Sequence, residues 1–214
     1  MQPDDLACAA SLARAQLDPL RDAAWEAQAG DLDWSCRRTL DHIIDTLLLY
    51  SSAVARRATG RDQWIPVRNQ DPESTIPNLL DALSASAAIL DQVCRATADT
   101  TRVFHPSGLS NVSGFRAMAC SEILTHTDDI LLGLHTAWSP SPPTTLCDRI
   151  LARVFPWAPT ADEEADRWEV VRWACGRTAL ASRPRLDEQW WWHAAPTGEW
   201  DGRRNERTAP PAWS

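Results

Sequence analysis

Apolar residues return at intervals of three and four along most of this chain, the spacing that gathers them on one face of an α-helix. Leu6, Ala10, Ala13 and Leu17 form the first such face. Asp18-Pro19 then reads as an N-cap with a first-turn proline, so the helix is expected to break or restart there, and Gly30 closes the segment. A second helix is expected to enter at Trp34-Ser35, carry Leu40, Ile43, Ile44, Leu47 and Leu48, and run to about Thr59-Gly60. The polar stretch 61–75 holds Pro66 and Pro72 and reads as a loop. A third helix follows from Ile76 to about Thr97, built on Leu79, Leu80, Leu83, Ala87, Leu90 and Val93. VFHPSGLSNVSG, residues 103–114, reads as a short strand or an ordered loop before a fourth helix from about Phe115 to Trp138. Beyond the connector SPSPPTT, two shorter helices are expected near Leu146–Phe155 and Glu163–Thr178, separated by PWAP.

Four long amphipathic segments without period-two alternation predict an all-α protein, a helix bundle. A length of 214 residues suits one sizeable domain. Its expected bounds are 1–195 for the bundle and 196–214 for an irregular tail, since the polar, Trp- and Pro-rich C-terminal stretch carries no periodic face.

Composition narrows the function. Hydrophobic residues at 44% and charged residues at 23% are ordinary for a globular protein. The formal net charge is −8, and every basic residue is Arg. That balance argues against a general nucleic-acid binder, which needs a basic face for phosphates. The acidic opening MQPDDLACAASLARAQ lacks the apolar core of a signal peptide, and no stretch approaches the roughly 18 apolar residues of a membrane span. A cytoplasmic location without membrane association is the expectation. Six cysteines are spread without a C-x-x-C pair, which predicts reduced, mostly buried thiols.

Chemistry concentrates at three positions. His42 lies in DHIIDTLLLY, and Glu122 and His126 lie in SEILTHTDDI, so each strong metal-ligating group sits among apolar residues on a predicted helix. Glu122 and His126, four apart, share one helical face. If the second helix brings His42 opposite that face, two imidazoles and a carboxylate form a set that leaves coordination positions open for a ligand. A Glu–His pair at this spacing also arises by chance, as a half-exposed face with a local hydrogen bond. Burial weighs toward the metal without deciding it, because buried imidazoles and carboxylates are costly without partners and one divalent ion would satisfy all three. Cys120 is no ligand candidate, being about 200° around the helix from Glu122.

DWSCRRTLDHIIDTLLLY followed by ACSEILTHTDDI resembles the DinB-like superfamily. More narrowly, it resembles the metal-binding domain of mycothiol-dependent maleylpyruvate isomerases. WSCRRTLDHI at a helix entry, FHPSG before the fourth helix and EVVRWACGRTAL near the C-terminus extend the likeness over about residues 30–195. The resemblance implies a DinB-like four-helix bundle with additional short C-terminal helices. It implies that His42, Glu122 and His126 ligate a divalent metal, usually zinc. It also implies a low-molecular-weight thiol of mycothiol type as co-substrate and a small electrophile as its partner. The isomerases of that family carry a further C-terminal domain that contributes to the thiol and substrate site, and this chain is short for a full one.

A free thiol with a pKa of about 8.5 is mostly protonated near neutral pH, and a divalent ion favours its thiolate. The same ligands would serve S-transfer or cis–trans isomerisation. Asp45 and Asp129 each follow a ligand histidine by three residues and are candidates for orienting an imidazole, or for plain capping acids. His105 is a candidate proton shuttle, or the anchor of its turn. Arg177 is a candidate for gripping a carboxylate or sugar hydroxyl of the thiol cofactor, or a charge at a helix C-terminus. Trp190-Trp191-Trp192 suits a pocket wall or a packing cover for the bundle. Two other functions stay open: metal-assisted hydrolysis with Asp45 or His105 as base, and a non-catalytic protein binding metal or a small molecule. Homodimerisation is compatible with the composition.

Overall fold

The computed structural model describes residues 1–65 and 71–204; part of the expected 61–75 loop and most of the 196–214 tail therefore lie outside the described residues. Six α-helices dominate the described residues: α1 (Asp5–Leu17), α2 (Cys36–Arg56), α3 (Ile76–Arg95), α4 (Val112–Gly133), α5 (Thr144–Val154) and α6 (Arg167–Ala174). The protein is all-α apart from a hairpin of β1 (Val103–His105) and β2 (Gly108–Ser110), which pair antiparallel with Val103 opposite Ser110. No helix among the described residues is long and apolar enough to cross a membrane.

Helices α1 to α4 form a four-helix bundle. Both α1 and α2 pack on α3 and on α4, so α3 and α4 occupy opposite corners; α5 continues the layer beside α4, and α6 packs on α5. Burial explains the roles. In α1 the small Ala9, Ala10 and Ala13 between Leu6 and Leu17 are buried and allow close approach. Nearly every residue of α4 is buried, including Arg116, Glu122, His126, Asp128 and Asp129. A helix enclosed on all sides has no solvent face for its polar groups, so each must find a partner inside the protein.

Helix ends follow local chemistry, and several differ from expectation. Ser35 caps α2 by accepting from the Arg38 amide, and Thr75 caps α3 by accepting from Asn78. The α2 helix stops at Arg56 because Arg57 turns left-handed (φ 53°), short of the expected Thr59-Gly60. Asn111 accepts from the Gly114 amide and starts α4 three residues before Phe115. The far end of α4 falls at Gly133, well before Trp138. There a Cβ would collide with the Gln28 carbonyl and Cys36 Sγ, so the missing side chain lets the segment leading into α2 lie directly on α4. Asp166 caps α6, which ends at Ala174 ahead of Gly176 in a left-handed conformation (φ 72°). The expected Glu163–Thr178 helix is therefore only its middle.

After α6 the chain carries only short turns and folds back on the bundle. Arg153 of α5, buried, donates to the carbonyls of His193, Ala194 and Ala195 and to Asn111 Oδ1. That clamp fixes the Trp190–Trp192 segment against the bundle, and Trp192 is buried. All six cysteines are free thiols, and all but Cys8 are buried.

Candidate metal centre

His42, Glu122 and His126 converge between α2 and α4. Each offers one ligand atom, and the three atoms lie within 4.8 Å of one another. Glu122 Oε2 is 3.1 Å from His126 Nε2 and 3.5 Å from His42 Nε2. Donors around a tetrahedral zinc at about 2.0–2.1 Å stand about 3.3 Å apart, so both spacings match an edge of that figure. Oε2 is sealed from solvent and makes no well-angled hydrogen bond, although both imidazoles are near. The three ligand atoms are close enough together to share one cation.

The imidazoles are held from behind. Trp34, next to the α2 cap, packs on His42 with ring centroids 4.8 Å apart, and the two imidazoles meet edge to face at 5.0 Å. His126 Nδ1 lies 2.9 Å from Asp129 Oδ2. A carboxylate can only accept, so Nδ1 carries the hydrogen and Nε2 is the atom turned toward Glu122. Asp129 accepts in turn from Arg177 Nε and Nη2 at 3.0 and 2.9 Å. This is the arrangement in which an outer carboxylate fixes the tautomer and orientation of a ligand histidine.

Electrostatics agree. Burial lowers the pKa of His42, which favours the neutral ring with a free lone pair. Burial alone would raise Glu122, but the two imidazoles hold it well below the ordinary carboxylate range. Burial would likewise lower His126, yet Asp129 and Glu122 more than offset it and raise the ring to about 9 from 6.5. In the ion-free protein, the His126 proton thus contributes stability that is fully present below pH 6.5 and lost as pH rises through about 9. A cation must displace that proton. Apparent zinc affinity is therefore expected to climb by about tenfold per pH unit through the window up to about 9, where the ring loses its proton, and to level off above it. Competition against a chromogenic chelator measures this, and a flat profile across the window would contradict it.

The centre lies on the wall of a cavity of about 640 Å³. Trp34, Trp190, Trp191 and Trp192 line it, so the tryptophan run both packs on the bundle and faces the cavity. Arg177 and Asp129 also reach it, but Arg177 is committed to Asp129 and to the Cys175 carbonyl. Two candidates lie elsewhere. Asp45 is buried on α2 and faces Arg38, its Oδ2 3.6 Å from Nη1, outside the cavity lining. His105 is fully buried in the hairpin; its Nδ1 accepts from the Ser107 amide and its Nε2 faces the Tyr50 hydroxyl at 3.2 Å. Burial pushes its pKa down to about 3, and the ring anchors its turn beside Tyr50 and Trp192. Neither residue is brought to the metal-binding atoms.

Sequence reasoning missed two parts. Ser121 and Cys175 line the cavity beside Glu122 with Oγ and Sγ 3.4 Å apart. Arg185 reaches from the C-terminal segment to Asp31 at 2.6 Å, to Asp187 at 3.1 Å and to the Gly176 carbonyl, tying that segment to the loop before α2. The Ser121–Cys175 and Arg185–Asp31 pairings have no local signal, since they join residues 54 and 154 positions apart.

An all-α bundle with a candidate two-histidine, one-carboxylate metal site on α2 and α4 defines the class. The family model of the DinB superfamily matches residues 7–130, more than half of the chain, and the protein belongs to that superfamily. The match includes all three candidate ligands and Asp129, while Arg177 and the tryptophan run lie beyond it. No curated protein and no solved structure matches the chain.

Proposed function

We propose that this protein is a zinc-dependent enzyme that joins a low-molecular-weight thiol of mycothiol type to a small electrophile, by S-transfer or by reversible addition that isomerises the acceptor. The observation that carries this reading is the convergence of three ligand atoms on the wall of a cavity large enough for two small reactants. Zinc held by His42, Glu122 and His126 would supply a Lewis acid that lowers the pKa of a thiol from about 8.5 toward neutrality.

The chain's own residues do the rest. Asp129, gripped by Arg177, orients the His126 ring and keeps its hydrogen on Nδ1. Trp34 holds the His42 ring from one side. The Trp190–Trp192 wall limits water around the reacting atoms, a condition under which thiolate chemistry outruns hydrolysis. The resemblance to mycothiol-dependent isomerases over 33–50 and 119–130 points to the same thiol class. Metal-assisted hydrolysis is less favoured, because Asp45 and His105, the bases it would use, lie outside the cavity lining.

Zinc-loaded protein incubated with mycothiol and a panel of reactive electrophiles is expected to form S-conjugates, detected by mass spectrometry, faster than protein-free controls. Chelation should return the rate to the control value. Probe turnover that proceeds equally well without thiol would support hydrolysis instead, and the absence of any accelerated conjugate would overturn the proposal.

A further inference from the structure

The cavity around the metal centre has a charge imbalance. Six carboxylates line it (Asp31, Asp33, Glu122, Asp129, Asp187 and Glu188) against two guanidiniums, Arg177 and Arg185, and the His126 ring, which Asp129 and Glu122 keep charged near neutral pH in the ion-free protein. Both guanidiniums are engaged. Arg177 is held by Asp129, and Arg185 by Asp31, Asp187 and the Gly176 carbonyl. Asp33 and Glu188 are exposed at the mouth, and among the described residues neither has a cationic side chain within 4 Å. Deeper in, Glu122 lines the cavity more than nine-tenths buried, its Oε2 beside the His42 and His126 rings. A divalent ion on the wall would offset only part of this excess.

The remaining surface is aromatic. Trp190 and Trp191 are half-buried with rings 6.5 Å apart, and Trp190 meets Trp192 edge to face at 5.2 Å. Indole faces attract cations and apolar groups, and carboxylates above them repel anions. A carboxylate-bearing ligand would meet no uncommitted guanidinium here, while an alkylated ammonium finds both an aromatic wall and an acidic mouth.

We propose that the electrophilic substrate taken by this cavity is an organic cation, an aromatic or alkyl group bearing a quaternary or protonated amine, and not a carboxylic acid. The inference rests on reading the cavity as the substrate site but requires neither thiol nor turnover. An uncharged thiol is compatible with it, so the two reactants would differ in charge, with the cationic group lying between the tryptophans and the Asp33–Glu188 mouth.

Isothermal titration calorimetry on the full chain, zinc-free and zinc-loaded, tests it with benzyltrimethylammonium and the similarly sized phenylacetate. The ammonium is expected to bind saturably in both forms, at least about tenfold tighter than phenylacetate, and more weakly at high salt. The double variant Asp33→Asn/Glu188→Gln should weaken ammonium binding by about threefold or more. The control variant Asp22→Asn/Asp99→Asn removes the same charge from exposed positions outside the cavity lining and should leave binding unchanged. Phenylacetate binding as tightly as the ammonium, no saturable binding of either, or equal losses in both double variants would overturn the inference. Zinc content is measured on the same samples. A charge preference that fails while zinc stays bound refutes this inference alone, whereas zinc loss refutes the metal reading.

Discussion

Exchanging Glu122 for alanine is expected to leave the purified protein with less than about a tenth of the zinc bound by the unaltered chain, by elemental analysis, because two imidazoles alone make a poor site. His42→Ala and His126→Ala should do the same, since the three donors lie within 4.8 Å of one another and none has a substitute at that spacing among the described residues. Helical circular dichroism should persist. The side chains that seal α4, such as Phe115, Met118, Ile123, Leu124 and Ile130, are untouched. The thermal consequence depends on metal. Binding at a hundredfold excess over Kd stabilises the native state by about 2.7 kcal/mol, which for a chain of this size is roughly 5–10 °C in Tm. That increment should vanish in each variant. In chelator the Glu122→Ala variant should still lose some stability, because Glu122 Oε2 lies 3.1 Å from His126 Nε2 and supports the charge on that buried ring. Unchanged zinc content in all three variants would dismantle the centre.

The parts of this arrangement that sequence reasoning reached share a physical property: they are written locally. The Glu122–His126 pair is one helical turn, the His126–Asp129 bond spans three residues, and the capping of α2 by Ser35 is read from adjacent positions. The apolar spacing of α1, α2 and α3 gives their cores. The pattern on α4 is weaker, because a helix buried on every side has no amphipathic face, and its true end depends on a contact with Gln28 that no window of sequence contains. Placing His42 opposite Glu122 needed the family resemblance as well as the pattern. Arg177 and Asp129 were each singled out but their pairing was not, since it spans forty-eight positions. His105 shows the reverse. A histidine in a loop rich in turn residues looks available, yet the β1–β2 hairpin folds it beneath Trp192 and against Tyr50, where an imidazolium would be unsupported.

Asp129→Asn is expected to weaken zinc binding by about 10- to 100-fold without abolishing it, the range for loss of an outer carboxylate behind a ligand histidine. The carboxylate accepts from His126 Nδ1 on one side and from Arg177 on the other, and it is 2% exposed. An asparagine offers a single oxygen. If the oxygen serves His126, the amide hydrogens confront the guanidinium; if it serves Arg177, they confront the Nδ1 hydrogen and the ring turns or changes tautomer. Arg177 is itself largely buried, so losing its counter-charge should also lower global stability by about 3–5 kcal/mol. The two effects separate in a double-mutant cycle. Asp129→Asn with Arg177→Met removes the stranded charge, and its stability loss should fall short of the sum of the single losses by about 1–3 kcal/mol. Zinc affinity should stay low in the double variant, because the His126 ring is still without its anionic acceptor. Recovery of affinity on removing Arg177 would mean that the guanidinium, and not the orientation of the imidazole, governs the centre.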